Sequence, residues 1–203
     1  MSLLDSLATA MHDLDRAGAS FAIVGGLAVG IRTEPRFTRD ADIAVSVAND
    51  QEAESIVLGL VRRGYKTVAS LEQEVTGRLA TVRLVPPLSN DAGVIVDLLF
   101  ASSGIEPEIV AAATLEAIAF DVTGPVATTG HLIAMKTLSE NDWRFQDRGD
   151  LLALLRASSA ADLGAARAAI RLISERGFAR NKDLDAILRR FVELANTTAE
   201  PST

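Results

Sequence analysis

Phe21-Ala22-Ile23-Val24 runs straight into Gly25-Gly26, and this junction constrains the chain more than any other feature. Four successive apolar residues with β-branched members read as a short buried strand, and paired glycines close it in a turn. Leu27-Ala28-Val29 then continues in helical character to Ile31, and Pro35 interrupts helix. From Ala41 to Val47, Ile43, Val45 and Val47 alternate with smaller or polar neighbours, which is strand spacing. The chain therefore opens as strand, glycine turn, helix, strand.

The flanks extend this order. Leu3, Leu4, Leu7, Met11 and Leu14 recur along one face of a helix over 3–17, with Gly18 as its stop. Asn49 or Asp50 caps a second helix over 51–63, whose Ile56, Val57, Leu60 and Val61 are expected to face inward. Strands are expected at Tyr65–Ala69, Leu79–Val85 and Val94–Phe100, the last two separated by a turn-rich stretch over 86–93. A helical Pro107–Thr114 precedes strands near Ile118–Val122 and Val126–Ala127. Helices follow over 130–141, 145–157, 160–176 and 182–196, with Ile173, Leu188, Phe191 and Leu194 among their core positions. The expectation is an α+β chain: an α/β domain over 1–129, a helical domain over 130–196 and a disordered tail over 197–203.

A length of 203 residues with 48% hydrophobic content suffices for one core or two small lobes. Zero cysteines remove disulfides and thiolate chemistry, and His12 and His131 are too few for a histidine-centred zinc site, so carboxylates are left as metal ligands. The net charge of −7 argues against a general nucleic-acid-binding surface, although Arg32, Arg36 and Arg39 form a local basic group. Acids collect at Asp13/Asp15 and Glu72/Glu74. The N-terminus has no basic region feeding an apolar run, and no uncharged apolar stretch reaches the roughly 18 residues of a membrane span. A soluble, cytoplasmic protein is expected. Lysine occurs only at 66, 136 and 182, so Lys136 stands out as a compact point charge in a chain that otherwise uses arginine.

Three elements carry candidate chemistry. In Asp40-Ala41-Asp42, residues two apart on a strand point the same way, and a divalent cation between them would relieve their repulsion. The alternative is an acidic surface loop. Asp97 sits in the apolar run Val94–Phe100, where an unpaired charge is costly; it either faces solvent at an edge, pairs with an arginine, or joins a metal site. Gly25-Gly26 precede a helix whose free N–H groups favour an anion, or else merely shape the turn. Neither a Gly-Lys-Ser/Thr loop nor a Gly-x-Gly-x-x-Gly fingerprint is present.

Val24-Gly25-Gly26-Leu27-Ala28-Val29, Arg32, Pro35-Arg36-Phe37-Thr38-Arg39-Asp40-Ala41-Asp42-Ile43 and Val96-Asp97-Leu98-Leu99 together resemble the polymerase-beta-like nucleotidyltransferase superfamily, and within it the AbiEii/AbiGii toxin-like group. His131 to Leu138, Arg144 and Gln146-Asp147-Arg148-Gly149-Asp150-Leu151 resemble that group's later motifs. The resemblance implies a nucleotidyltransferase-type mixed sheet with flanking helices and a C-terminal helical domain. It implies Mg²⁺, with Mn²⁺ as a substitute, on Asp40, Asp42 and Asp97. It also implies catalytic roles for these and Lys136, and nucleotide contacts at Gly25, Gly26, Arg39, Lys136, Arg144, Asp147 and Asp150. The implied partners are an NTP, an acceptor that is tRNA or other RNA, protein or a small molecule, and an antitoxin. A catalytically silent nucleotide-binding or interaction module is the competing expectation. Trp143, beside Arg144, reads as a core residue or as a base-stacking one.

Overall fold

The computed structural model describes residues 2–73, 76–87, 94–119, 121–141, 143 and 145–197. Glu74, most of the turn-rich stretch after Pro87, Arg144 and residues 198–203 lie outside them. Among the described residues the chain forms α1 (Leu3–Arg16), β1 (Ser20–Val24), α2 (Gly25–Arg32), β2 (Asp40–Ser46), α3 (Asp50–Arg62), β3 (Lys66–Glu72), β4 (Leu79–Val85) and β5 (Ile95–Leu99). These are followed by α4 (Glu106–Ala112), β6 (Thr114–Ala119), β7 (Val122–Val126), α5 (Thr129–Ser139), α6 (Phe145–Ala157), α7 (Ala160–Glu175) and α8 (Leu184–Thr197).

The strands make one mixed sheet in the order β3-β4-β5-β2-β1-β7-β6. β2 runs antiparallel to β1 and parallel to β5, while β4 runs antiparallel to β5, so the centre of the sheet holds both kinds of pairing. Alternation decides its two faces. Ala41, Ile43, Val45, Val82, Leu84, Val96 and Leu98 are buried, and α1 packs against β1, β2 and β5 while α3 packs against β4. Asp40, Asp42, Arg83 and Asp97 occupy the alternate positions and share the opposite face.

Ser2 and Asp5 form a capping box at α1, and Asn49 caps α3 by accepting from the Glu52 N–H. α5 packs on α6 and α7, α6 packs on α8, and both α5 and α6 touch α2. One buried cluster runs from Leu7 to Ala195, continuous across residue 129.

Several expectations need correction. Thr114 starts β6 rather than ending a helix, and β7 spans Val122–Val126, so it includes the Gly124-Pro125 that lies between the two expected strands. Val61 and Leu194 are exposed, because each sits at the margin of its helix's apolar stripe. Trp143 is 89% exposed rather than core. Thr197 ends α8 instead of opening the tail.

Candidate active site

The Gly25-Gly26 junction is the start of α2 itself. Val24 precedes the helix in extended conformation and offers no side-chain cap, and the Gly26 N–H in the first turn meets the Asp42 carboxylate instead. Gly25 has φ +64, and a Cβ there would lie 1.9 Å from Asp42 Oδ2. A Cβ on Gly26 would lie 2.4 Å from a terminal nitrogen of Arg36. Both glycines therefore make room for charged side chains of the site.

Val24 faces Asp42 in the β1–β2 ladder, Asp42 faces Asp97 in the β2–β5 ladder, and Asp97 faces Arg83 in the β5–β4 ladder. One row thus crosses four strands and sets two carboxylates side by side on the cleft face. Asp40 lies two residues along from Asp42 on that face. Burial, reinforced by the charges of Asp97 and Asp40, pushes the Asp42 carboxyl up to about 6, against the pull of Lys136 and a hydrogen bond from the Gly26 N–H. Asp97 is buried and paired: Arg83 Nε and a terminal nitrogen donate to its two oxygens at 2.9 and 2.7 Å. That bidentate hydrogen bond, then the charge of Asp97, raises the Arg83 pKa further.

A second ionic group lies across the cleft. Lys136 on α5 donates to Asp147 at 2.6 Å and contacts Asp150 at 2.7 Å, both on α6. The same Asp150 oxygen accepts from Arg36 at 2.8 Å, so a buried carboxylate ties the loop after α2 to α5 and α6. The basic group of the first half divides. Arg32 turns away to Glu116, Thr114 and the carbonyls of Val126 and Ala127, bracing β6 and β7. Arg39 stays in the cleft with its guanidinium 5.8 Å from the Phe37 ring.

These residues line one open cleft of about 950 Å³. It brings together Gly25, Gly26, Arg39, Asp40, Asp42, Asp97, Lys136 and Asp147, with Asp150 anchoring its wall from behind. Arg144 is outside the described residues. Sequence reasoning missed Arg83, whose signal was available: it is the charged position in the alternating strand Leu79–Val85, as Asp97 is in Val94–Phe100. It also missed Glu106, a buried acid that accepts from the backbone of Ser102 and Ser103 and shapes the loop flooring the cleft.

Among the described residues no three His, Asp or Glu side chains gather as a metal-holding group. Asp40 and Asp42 offer hard oxygens whose crowding a cation would relieve, whereas Asp97 is committed to Arg83.

Among the described residues no helix is long and apolar enough to cross a membrane. No protein-family model and no curated protein sequence matches the chain. Solved structures do. An antigenic nucleotidyltransferase-like protein from Paracoccidioides brasiliensis superposes with a TM-score of 0.54 at 16% identity, covering 93% of this chain and 92% of its own. ANT(2")-Ia in complex with adenylyl-2"-tobramycin superposes with a TM-score of 0.55 at 14% identity, covering 86% of this chain and 98% of its own. The chain has the fold of nucleotidyltransferase-like proteins.

Proposed function

We propose that this protein transfers a nucleoside monophosphate from an NTP to a hydroxyl acceptor and releases pyrophosphate. The observation that carries the reading is the four-strand row: it puts Asp42 and Asp97 side by side at the uncapped start of α2, with Lys136 in the same cleft. A triphosphate would meet the positive end of the α2 dipole beside Gly25 and Gly26. Lys136, held by Asp147 and Asp150, would neutralise its charge, and Arg39 would add to that field. Asp40 and Asp42 would hold Mg²⁺ or Mn²⁺, with Asp97 joining on release from Arg83; the ion would acidify the acceptor hydroxyl and neutralise the leaving pyrophosphate.

The acceptor class is RNA, protein or small molecule. The adenylylated tobramycin in the ANT(2")-Ia complex supports a small molecule as one such class. The AbiEii/AbiGii resemblance supports the toxin role with an antitoxin partner.

Incubation with Mg²⁺ and each α-labelled NTP should move label onto an acceptor in an RNA, protein and small-molecule panel. Asp42→Ala should abolish it, and full labelling by that variant would refute the assignment of Asp42. The silent-module reading draws on the Arg83 clamp over Asp97. It predicts Mg²⁺-independent NTP binding with no turnover on any acceptor.

A further inference from the structure

The chain contains seven Phe, one Trp and one Tyr. Phe21, Tyr65, Phe100, Phe178 and Phe191 are buried in the core. Phe37, Trp143 and Phe145 are 79%, 89% and 78% exposed, and all three line the candidate active-site cleft. Single exposed aromatics are ordinary on a protein surface; three at one cleft leave a large wet apolar and π surface beside the catalytic candidates.

Charge indicates what such rings meet. At the cleft, Arg36, Arg39, Arg83, Lys136 and Arg180 match Asp40, Asp42, Asp97, Asp147 and the Asp150 behind its wall, although the chain carries −7 overall. Flat apolar faces beside cations suit a ligand with a planar ring at one end and phosphates at the other.

Connectivity selects among such ligands. Phe37 follows Arg36, whose guanidinium occupies the space beside Gly26, and Arg39 already lies against the Phe37 ring. Phe145 begins α6 two residues before Asp147, the partner of Lys136. The Arg36–Asp150 bond ties these two segments together. The rim rings thus sit on the same segments as the cations that would meet a triphosphate. We propose that Phe37, Trp143 and Phe145 form a stacking subsite for the base of the donor nucleotide. This rests on the nucleotidyltransferase reading and adds that the donor base is held by π surface.

Trp143 is the sole tryptophan, so its fluorescence reports on the subsite directly. Titration of the full chain with ATP in Mg²⁺ buffer should quench it, whereas inorganic tripolyphosphate, which lacks a base, should bind without quenching. Phe37→Leu and Phe145→Leu keep apolar bulk but remove the ring face, and each should weaken ATP binding about 10-fold while leaving tripolyphosphate affinity unchanged. Trp143→Leu, followed by calorimetry, should behave alike. Equal affinities for ATP and tripolyphosphate, or Leu variants that bind ATP as tightly as the parent, would overturn the proposal. So would quenching by a single-stranded oligonucleotide but not by ATP, which would give the rings to the acceptor. The readout is binding, so it separates from the transfer reaction: label transfer without the ATP–tripolyphosphate difference sinks only the stacking subsite. That difference without transfer sinks only the catalytic reading.

Discussion

Arg83 stands opposite Asp97 in the β4–β5 ladder and holds both of its carboxylate oxygens. The guanidinium is what lets two carboxylates lie side by side in the middle of a sheet. Arg83→Leu should cost about 2 kcal/mol, below the range for a fully buried pair because Arg83 is partly exposed. Added Mg²⁺ should restore part of that loss by supplying the missing positive charge. Thermal melts with and without Mg²⁺ check this: the variant should gain several degrees and the parent less. An equal response in both would show that Arg83 does not compete with a cation.

The two glycines should differ sharply in their tolerance. Gly25→Ala puts a side chain in the left-handed region and drives it into Asp42, so it should cost about 2–3 kcal/mol and abolish transfer. Gly26→Ala meets only the far end of Arg36, which can swing away at the expense of its bond to Asp150. Denaturant unfolding should rank Gly25→Ala well below Gly26→Ala.

Asp42 gives the stability curve a definite sign. Its folded pKa, about 6, lies above the unfolded value of 3.8, so the folded state binds the proton more tightly and stability contributed by Asp42 falls as pH rises between those values. The loss above pH 6 is at most about 3 kcal/mol, at 1.36 kcal/mol per pKa unit. Asp42→Asn removes it. Relative to the parent, this variant should be more stable at pH 7.5 than at pH 4.5, measured by urea unfolding without divalent ions; a constant difference would mean that Asp42 does not titrate as described.

Asp150 and Asp147 both contact Lys136, but only Asp150 also holds Arg36, and it is the more buried. Asp150→Ala leaves two cations facing one another and should cost about 3 kcal/mol, while Asp147→Ala should cost about 1 kcal/mol. Comparable melting temperatures for the two variants would contradict the pivotal place of Asp150.

Periodic segments were legible in the chain itself. Leu79–Val85 and helix α6 over Phe145–Ala157 have the bounds that alternation and helical spacing predict. β7 escaped because Gly124-Pro125 fell between two expected strands, whereas the strand meets β1 only at Val126, leaving the proline free of an obligatory ladder bond there. The carboxylates could be picked out by type and spacing, and Arg83 as the charged position of its strand, but which groups pair with which could not. Asp97 finds its guanidinium across a strand pair, and Asp150 collects Arg36 from 114 residues away. Trp143 lies in a short connection between α5 and α6, where no repeat reveals which way a ring points.

The row from Val24 through Asp42 and Asp97 to Arg83 has a further consequence. Side chains alternate along each strand, so sliding β2 past β5 by one residue would send Asp40 and Asp42 to the helix-covered face and leave Asp97 behind. Neither one-residue alignment keeps a weakened version of the arrangement. On the proposed transfer reaction, turnover would then serve as an all-or-none assay of refolding fidelity: a molecule with nearly native secondary structure and mispaired central strands would be spectroscopically close to normal and inactive.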